Sequence, residues 1–191
     1  MVANTRSPAA DRARLIEIIK QRSYMSGVEI KLASGRMSNF YFNLKPTMLD
    51  PEGAYLIGQV LVDALDGLEV DAIGGLEVGA IPIAAAAAAI SFSRGRQLPA
   101  FFVRKAAKEH GTKSLVEGLV KGETLAGRRV VILEDTTTTG GSPLKAAAAV
   151  EAEGATVVRI VTIVDREEGA AEIIRAAGYT YAPILSLRDF L

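Results

Sequence analysis

The segment from Val130 to Glu153 restricts the fold most, because an apolar strand passes through a hydroxyl-rich turn directly into a helix. Strands of near-continuous Val, Ile and Leu are typical of sheets that are buried on both faces. The same order of strand and helix recurs along the chain. Strands are predicted at Val70–Ile73, Ala100–Val103, Arg129–Leu133, Thr156–Val164 and Tyr181–Leu185, and helices at Ala80–Ile90, Pro143–Glu153 and Ala170–Ala177. The sequence therefore predicts an α/β fold with a mostly parallel central sheet flanked by helices.

The N-terminal third has a different pattern. Ser7–Arg22 and Pro51–Leu65 read as helices, the second with Asp50 as its cap, whereas Val28–Asn43 suggests short strands and turns. In parallel sheets ligands bind at the carboxyl ends of the strands. The segments that follow predicted strands are Gly75–Ala80, Arg104–Gly118, Glu134–Ser142 and Asp165–Gly169, and we expect the functional residues among them.

Composition removes several function classes. The 191 residues have a formal net charge of zero, which gives no global electrostatic case for nucleic acid or an acidic membrane. There is no cysteine and only one histidine, so thiolate nucleophiles and sites built from several histidines are excluded. The most apolar run, Ala80–Ile90, has 11 residues, whereas a membrane span needs about 20. We expect one domain over residues 1–191, located in the cytoplasm.

The turn Glu134–Ser142 reads EDTTTTGGS and suits a phosphorylated sugar. Glycines let backbone N–H groups point inward, the next helix N-terminus adds partial positive charge, and hydroxyls add donors for a phosphate. Carboxylates repel phosphate, so Glu134 and Asp135 are better explained as acceptors for sugar hydroxyls beside it. The alternative is an ordinary strand–turn–helix with solvated acids, which leaves this combination of residues unexplained.

A cluster of cations follows the strand Ala100–Val103. Arg104, Lys105, Lys108, His110 and Lys113 lie within ten residues. Such a run is often a solvated loop, but after a strand it can form a mobile lid whose cations stabilise an anionic group.

Two further segments are candidates for ligand binding. The run Ser34–Asn43, SGRMSNFYFN, contains Phe40, Tyr41 and Phe42, which could equally be core residues. Arg166 follows a strand and could be a surface ion-pair residue or a guanidinium fork for a carboxylate.

These motifs together resemble the type I phosphoribosyltransferases, and among them the orotate phosphoribosyltransferases. EDTTTTGGS resembles the family's signature for 5-phosphoribosyl 1-diphosphate, RKxxKxH at Arg104–His110 resembles its catalytic loop, and Ser34–Asn43 resembles its SGRxSxYFFN segment. The resemblance implies the family fold, with a small hood built mainly from about residues 1–48. It also implies transfer of ribose 5-phosphate to orotate, giving orotidine 5′-monophosphate in pyrimidine biosynthesis.

The resemblance implies a role for each matching residue. Lys105, Lys108, His110 and Asp135 would be catalytic, and Lys105 would act in the neighbouring subunit of a homodimer. The donor would contact Arg104, Lys105, Lys108, His110, Glu134, Asp135, Thr136, Thr137, Thr138, Thr139, Gly140, Gly141 and Ser142. Orotate would contact Thr138, Arg166, Phe40, Tyr41 and Phe42. Mg²⁺ would be the cofactor, carried largely by the substrate and not by a protein cage.

Two departures from the family pattern concern lysines. Ala33 stands where many members have the lysine of KSG, and Leu76–Ala80 reads LEVGA where many have PAYKG. Backbone amides around Val78–Gly79 are one replacement for these lysines, and the alternative is weaker substrate binding or a somewhat different base. The competing functions are therefore a phosphoribosyltransferase for another base, a non-catalytic regulator that binds the same donor, and a partner-binding scaffold.

Overall fold

The computed structural model describes residues 7–31, 37–106 and 114–191. The helices are α1 Pro8–Arg22, α2 Lys45–Met48, α3 Pro51–Ala64, α4 Ala80–Ser93, α5 Gly141–Ala152 and α6 Ala170–Ala176. The strands are β1 Tyr24–Lys31, β2 Met37–Phe42, β3 Ala72–Leu76, β4 Ala100–Val103, β5 Val116–Glu117, β6 Arg129–Thr137, β7 Thr156–Asp165 and β8 Tyr181–Ser186. A 3₁₀ helix covers Leu187–Phe190.

The central sheet has six strands in the order β5-β4-β3-β6-β7-β8. All pairings are parallel except that of β4 with the short β5. The other sheet is the antiparallel pair β1-β2, in which Tyr24 lies opposite Phe42. The predicted α/β architecture with a mostly parallel sheet is thus confirmed.

The sheet is buried on both faces, as its apolar strands predict. Val131 and Leu133 of β6 pack into a core with α1, α3 and α4, while Val130 and Ile132 pack into a second core with α5 and α6. All four side chains have no exposed surface. Because β6 lies between two strands and two helical layers, its carboxyl end is held in a fixed position.

Several predicted boundaries were wrong, and close packing explains the largest shift. β3 was expected to end at Ile73, but it continues through Gly74 and Gly75 to Leu76. A Cβ on Gly74 would lie 2.3 Å from the carbonyl oxygen of Phe101, so glycine here allows the close approach of β4. β6 likewise extends past Leu133 to Thr137, which places Glu134 and Asp135 on the strand. The sequence analysis missed α2, β5 and the 3₁₀ helix, and no described helix is long and apolar enough to cross a membrane.

Candidate active site

Two carboxylates with different environments lie near the carboxyl end of the central strand β6. Glu134 is buried, with 7% of its surface exposed, and its Oε2 atom has no hydrogen-bond partner among the described residues. Burial, and then the neighbouring charge of Asp135, raise the pKa of Glu134 well above its ordinary value. Asp135 is half-buried, and its Oδ1 accepts the N–H of Thr136 at 2.7 Å. The pair therefore presents one buried and one half-buried carboxyl group.

The loop after β3 lies directly against Asp135. A Cβ on Gly79 would lie 2.6 Å from Cγ of Asp135, so the loop approaches the acid at backbone distance. The Glu77–Val78 peptide bond in this loop is cis. The backbone N–H of Lys105 donates to Oε1 of Glu77 at 2.8 Å, which joins the end of β4 to the same loop.

These segments surround a cavity of about 240 Å³ at the carboxyl end of the sheet. Its lining combines carboxylates, ammonium groups and backbone of the loop after β3. The lining residues are Lys45, Leu76, Glu77, Val78, Gly79, Lys105, Glu134, Asp135 and Ser142. Four predicted donor contacts, Lys105, Glu134, Asp135 and Ser142, are thus brought together.

The glycine-rich turn connects this cavity to a helix N-terminus. Gly140 adopts a φ of 81°, a left-handed conformation that glycine adopts without strain, and α5 begins at Gly141. Thr138 is half-buried and Thr139 is exposed. Thr137 is 2% exposed, and the hydroxyl oxygens of Thr136 and Thr137 have no partner among the described residues. The turn presents backbone N–H groups and the dipole of a 12-residue helix, as an anion site requires.

The structure brings two of the residues predicted for the base, Arg166 and Phe40, together. Arg166 is 5% exposed, bonds Glu168 at 2.8 Å, and has its guanidinium carbon 5.2 Å from the centroid of the Phe40 ring. Its backbone N–H donates to the carbonyl of Thr137 at 3.0 Å, so it lies beside the end of β6. Arg166 and Phe40 therefore form one stacked unit next to the turn.

The other two aromatic residues lie elsewhere. Phe42 is 5% exposed and packs against Tyr24 and Phe190, with both ring centroids 5.0 Å away. The side chain of Tyr41 is on the opposite face of β2 from Phe40, as alternation along a strand requires, and 36% of its surface is exposed. Phe42 takes the core position that the sequence analysis left open, and it supports Phe40 from behind at a centroid distance of 6.3 Å.

Part of the predicted cation cluster can be placed. Nη1 of Arg104 lies 3.5 Å from Glu117, and Nε donates to the carbonyl of Ala106, so its guanidinium is held toward β5. Lys105 lines the cavity of its own chain. Lys108 and His110 lie outside the described residues, as does Ala33.

Sequence analysis missed two residues of the site. Lys45 was not singled out because a lone lysine after an aromatic strand carries no motif, and α2, which it begins, is only four residues long. Glu77 was named only as part of a departure from the family pattern. The signal that could have found Glu77 is its position directly after β3, at the predicted ligand edge of the sheet.

Comparison with known proteins identifies the family. Residues 51–177 match the family model of the phosphoribosyl transferase domain. The chain is 56% identical over 185 residues to the orotate phosphoribosyltransferase of Bradyrhizobium diazoefficiens, covering 97% of this chain and 98% of the relative. The chain belongs to the orotate phosphoribosyltransferase family.

Solved structures of this family agree with the fold described above. An orotate phosphoribosyltransferase of Mycobacterium tuberculosis, in complex with Fe(III) dicitrate, superimposes with a TM-score of 0.81 at 40% identity, over 94% of this chain and 98% of that one. The same enzyme in complex with 5-phospho-α-D-ribosyl 1-diphosphate gives a TM-score of 0.77 at 38% identity, with the same coverage. The predicted family and the type I phosphoribosyltransferase fold are therefore confirmed.

Proposed function

We propose that this chain transfers ribose 5-phosphate from 5-phosphoribosyl 1-diphosphate to a ring nitrogen of orotate, releasing diphosphate and forming orotidine 5′-monophosphate. The observation that carries the proposal is the position of Glu134 and Asp135, which lie near the carboxyl end of β6 and line the cavity, a few residues before the N-terminus of α5. This arrangement provides acceptors for two ribose hydroxyls beside a phosphate site. In the cell the reaction would belong to pyrimidine nucleotide biosynthesis.

The donor would be held by its ribose and by its 5′-phosphate. Glu134 and Asp135 accept hydrogen bonds from the ribose 2′- and 3′-hydroxyls, and the unpartnered Oε2 of Glu134 supports this role. The turn from Thr136 to Ser142 binds the 5′-phosphate through backbone N–H groups and hydroxyls. Fixing the ribose in this way orients its anomeric carbon before diphosphate departs.

The leaving group needs cations, because negative charge develops on the diphosphate as its bond to the anomeric carbon breaks. Lys105 is already at the cavity, and Lys108 and His110 follow it in the sequence. Ammonium groups held close to the diphosphate stabilise this developing charge. Asp135 would complement them by facing the positive character that develops on the ribose.

Orotate carries a carboxylate, and we propose that Arg166 pairs with it. The Arg166 guanidinium lies against the Phe40 ring, and Thr138 lies one residue beyond the end of β6. A flat base would lie beside Phe40 while its carboxylate accepts from the guanidinium. We retain Arg166, Thr138 and Phe40 as proposed base contacts, with Phe42 as the support behind Phe40, and assign Tyr41 no contact.

Mg²⁺ is the proposed cofactor, and the donor set fits it. Carboxylate and hydroxyl oxygens are the ligands that Mg²⁺ prefers, and the cavity offers Glu77, Glu134 and Asp135. Among the described residues, no group of three or more His, Asp or Glu side chains is arranged to hold a metal ion. When bound, the ion supplies neutralisation of diphosphate charge, and it would arrive with the substrate.

We further propose a homodimer in which the Arg104–Gly118 loop reaches the neighbouring subunit, as the family resemblance implies. The competing arrangement is within one chain, where Lys105 already lines its own cavity. Mixing a Lys105→Ala variant with an Arg166→Ala variant tests this. If the loop acts across the dimer, random mixed dimers contain one intact site each and recover about a quarter of the normal activity. If the mixture recovers no activity, the loop does not act in the neighbouring subunit.

The placement of the chain in the cell and its division into parts are also proposals. We propose a single domain over residues 1–191 in which about residues 1–48 form a hood over the site. A cytoplasmic location follows from the chemistry of the reaction, because its phosphorylated substrate and product carry several charges and cross membranes poorly.

An absorbance assay of orotate consumption with the donor, run with and without Mg²⁺, tests the reaction. The expected result is Mg²⁺-dependent loss of orotate with equimolar release of diphosphate. Uracil and hypoxanthine serve as competing bases that lack the carboxylate. Turnover of either base without turnover of orotate would overturn the proposal and favour a phosphoribosyltransferase for another base.

A further inference from the structure

We propose that Lys45 binds the diphosphate of the donor and so compensates for the lysine that the loop after β3 lacks in this chain. Lys45 lines the cavity together with Glu77, Gly79 and Lys105. The inference rests on the proposed function and extends it to a residue that no motif indicates.

Binding a diphosphate in this cavity requires a second cation, because acidic side chains outnumber basic ones in its lining. Three carboxylates, Glu77, Glu134 and Asp135, line it, against two ammonium groups, Lys45 and Lys105. A diphosphate adds further negative charge to a space that already contains these acids. The loop Leu76–Ala80 supplies no cation of its own. Without Lys45, Lys105 would be the only cation among the described lining residues.

The backbone of Lys45 is held in place by the packing of α2. Its N–H donates to Oδ1 of Asn43 at 3.3 Å. Thr47, two residues later, is fully buried, and its hydroxyl lies 2.6 Å from that of Ser23. A Cβ on Gly53 would lie 2.2 Å from the carbonyl oxygen of Thr47, so α3 packs directly on α2. Lys45 therefore extends from a fixed turn, which lowers the entropy cost of placing its ammonium group.

The Lys45 ammonium group is available for a ligand. The residue is exposed, and no described side chain forms a hydrogen bond or ion pair with its Nζ. A surface lysine with only a solubilising role would show the same exposure, but it would not share a cavity with Glu134 and Asp135 of β6. The cavity position is what favours a ligand contact.

The test compares Lys45→Met, which keeps the aliphatic stem, with Lys45→Arg, which keeps the charge. Diphosphate with Mg²⁺ is titrated into each full-length protein by calorimetry, and the Michaelis constants for the donor and for orotate are measured. We expect Lys45→Met to weaken diphosphate binding and raise the KM for the donor by roughly tenfold, as loss of a charge-assisted hydrogen bond implies. Lys45→Arg is expected to restore most of the loss, and the KM for orotate should change less than twofold.

Lys20→Met is the matched control, because Lys20 is an exposed lysine of α1 that does not line the cavity. It should bind diphosphate like the unmodified chain. Unchanged diphosphate binding in Lys45→Met would overturn the proposal for Lys45 while leaving the orotate reaction intact. Absence of orotate turnover in the unmodified chain, with diphosphate binding that still depends on Lys45, would instead reject the reaction and keep the site.

Discussion

Lys105 is bonded to Glu77 through its backbone, since its N–H lies 2.8 Å from Oε1 of the carboxylate. The Glu77 carboxylate thus holds the backbone of Lys105 in position and does not neutralise the Lys105 ammonium group. Glu77 is half-buried in the loop after β3, and its own backbone N–H donates to Val103 at 2.8 Å. The loop after β3 and the segment after β4 are therefore joined at two points beside the cavity.

Glu77→Ala should disturb Lys105 without unfolding the chain. Removing the acceptor frees the start of the segment after β4, so we expect turnover to fall by about tenfold, the cost of misplacing a charged group. Steady-state kinetics with orotate and the donor provide the measurement. Glu77→Gln is the control, because its amide oxygen still accepts from the Lys105 N–H. Equal losses in both variants would show that the carboxylate charge, and not this hydrogen bond, is what matters.

Lys105→Ala tests the cation itself. The change removes the one ammonium group of the Arg104–His110 run that the described residues place at the cavity, so we expect turnover to fall by about a hundredfold or more. Thermal unfolding should be unchanged, because the side chain is exposed. Near-normal turnover would refute the assignment of Lys105 as catalytic.

Gly79→Ala should separate activity from stability. The added Cβ would meet the carboxyl group of Asp135 at 2.6 Å. A carboxyl group can rotate away, so the fold should survive, with a midpoint of thermal unfolding close to that of the unmodified chain. The displaced Asp135 would hold the ribose poorly, and we expect kcat/KM for the donor to fall by at least about tenfold. Full activity in this variant would show that the Asp135 carboxyl group can move aside and still hold the ribose.

The sequence predicted the sheet and its ligand edge better than it predicted the site's precise construction. Apolar strands such as Val130–Leu133 carry their own signal, because burial on both faces leaves no polar alternation. The end of β3 was misplaced because Gly74 and Gly75 read as a turn, whereas they are needed for close strand packing. Lys45 and the hydrogen bond of Glu77 depend on contacts between segments far apart in the chain, which periodicity cannot reveal.

The three adjacent aromatic residues show the same limit. Phe40, Tyr41 and Phe42 are alike in sequence, and only the register of β2 decides which one lies against Arg166. Alternation along a strand predicts that Phe40 and Phe42 share a face but not what that face contacts. The Phe190 ring, which packs on Phe42, comes from the C-terminal 3₁₀ helix that the sequence analysis missed.

Arg166→Lys should weaken binding of orotate and leave binding of the donor nearly unchanged. Lysine keeps the charge but loses the planar fork that pairs with a carboxylate and stacks on Phe40. We expect the KM for orotate to rise about ten- to a hundredfold, with the KM for the donor within about twofold. Arg188→Lys is the control, since that arginine forms an exposed ion pair with Glu167. A parallel rise in both constants in Arg166→Lys would indicate a structural role instead.

Glu134 should make the stability of the chain depend on pH, because its pKa is raised by burial and by the charge of Asp135. A raised carboxyl pKa means that the folded state binds the proton more tightly than the unfolded state does. Its contribution to stability is complete below the ordinary value of 4.5 and is lost as the pH rises from there through the raised pKa. Glu134→Gln is neutral at every pH, so it avoids this loss.

The expected result is that urea unfolding of Glu134→Gln has a higher midpoint than the unmodified chain at pH 8, and that the difference narrows toward pH 4. Glu172→Gln, at an exposed carboxylate of α6, should show little difference at either pH. The same Glu134→Gln variant should lose affinity for the donor, because an amide replaces one of the acceptors for the ribose hydroxyls. A buried acid that lowers stability at neutral pH and improves substrate binding is the pattern of a site selected for function. A Glu134→Gln variant that is less stable at pH 8 would instead mean that the carboxylate has compensating partners in the folded chain.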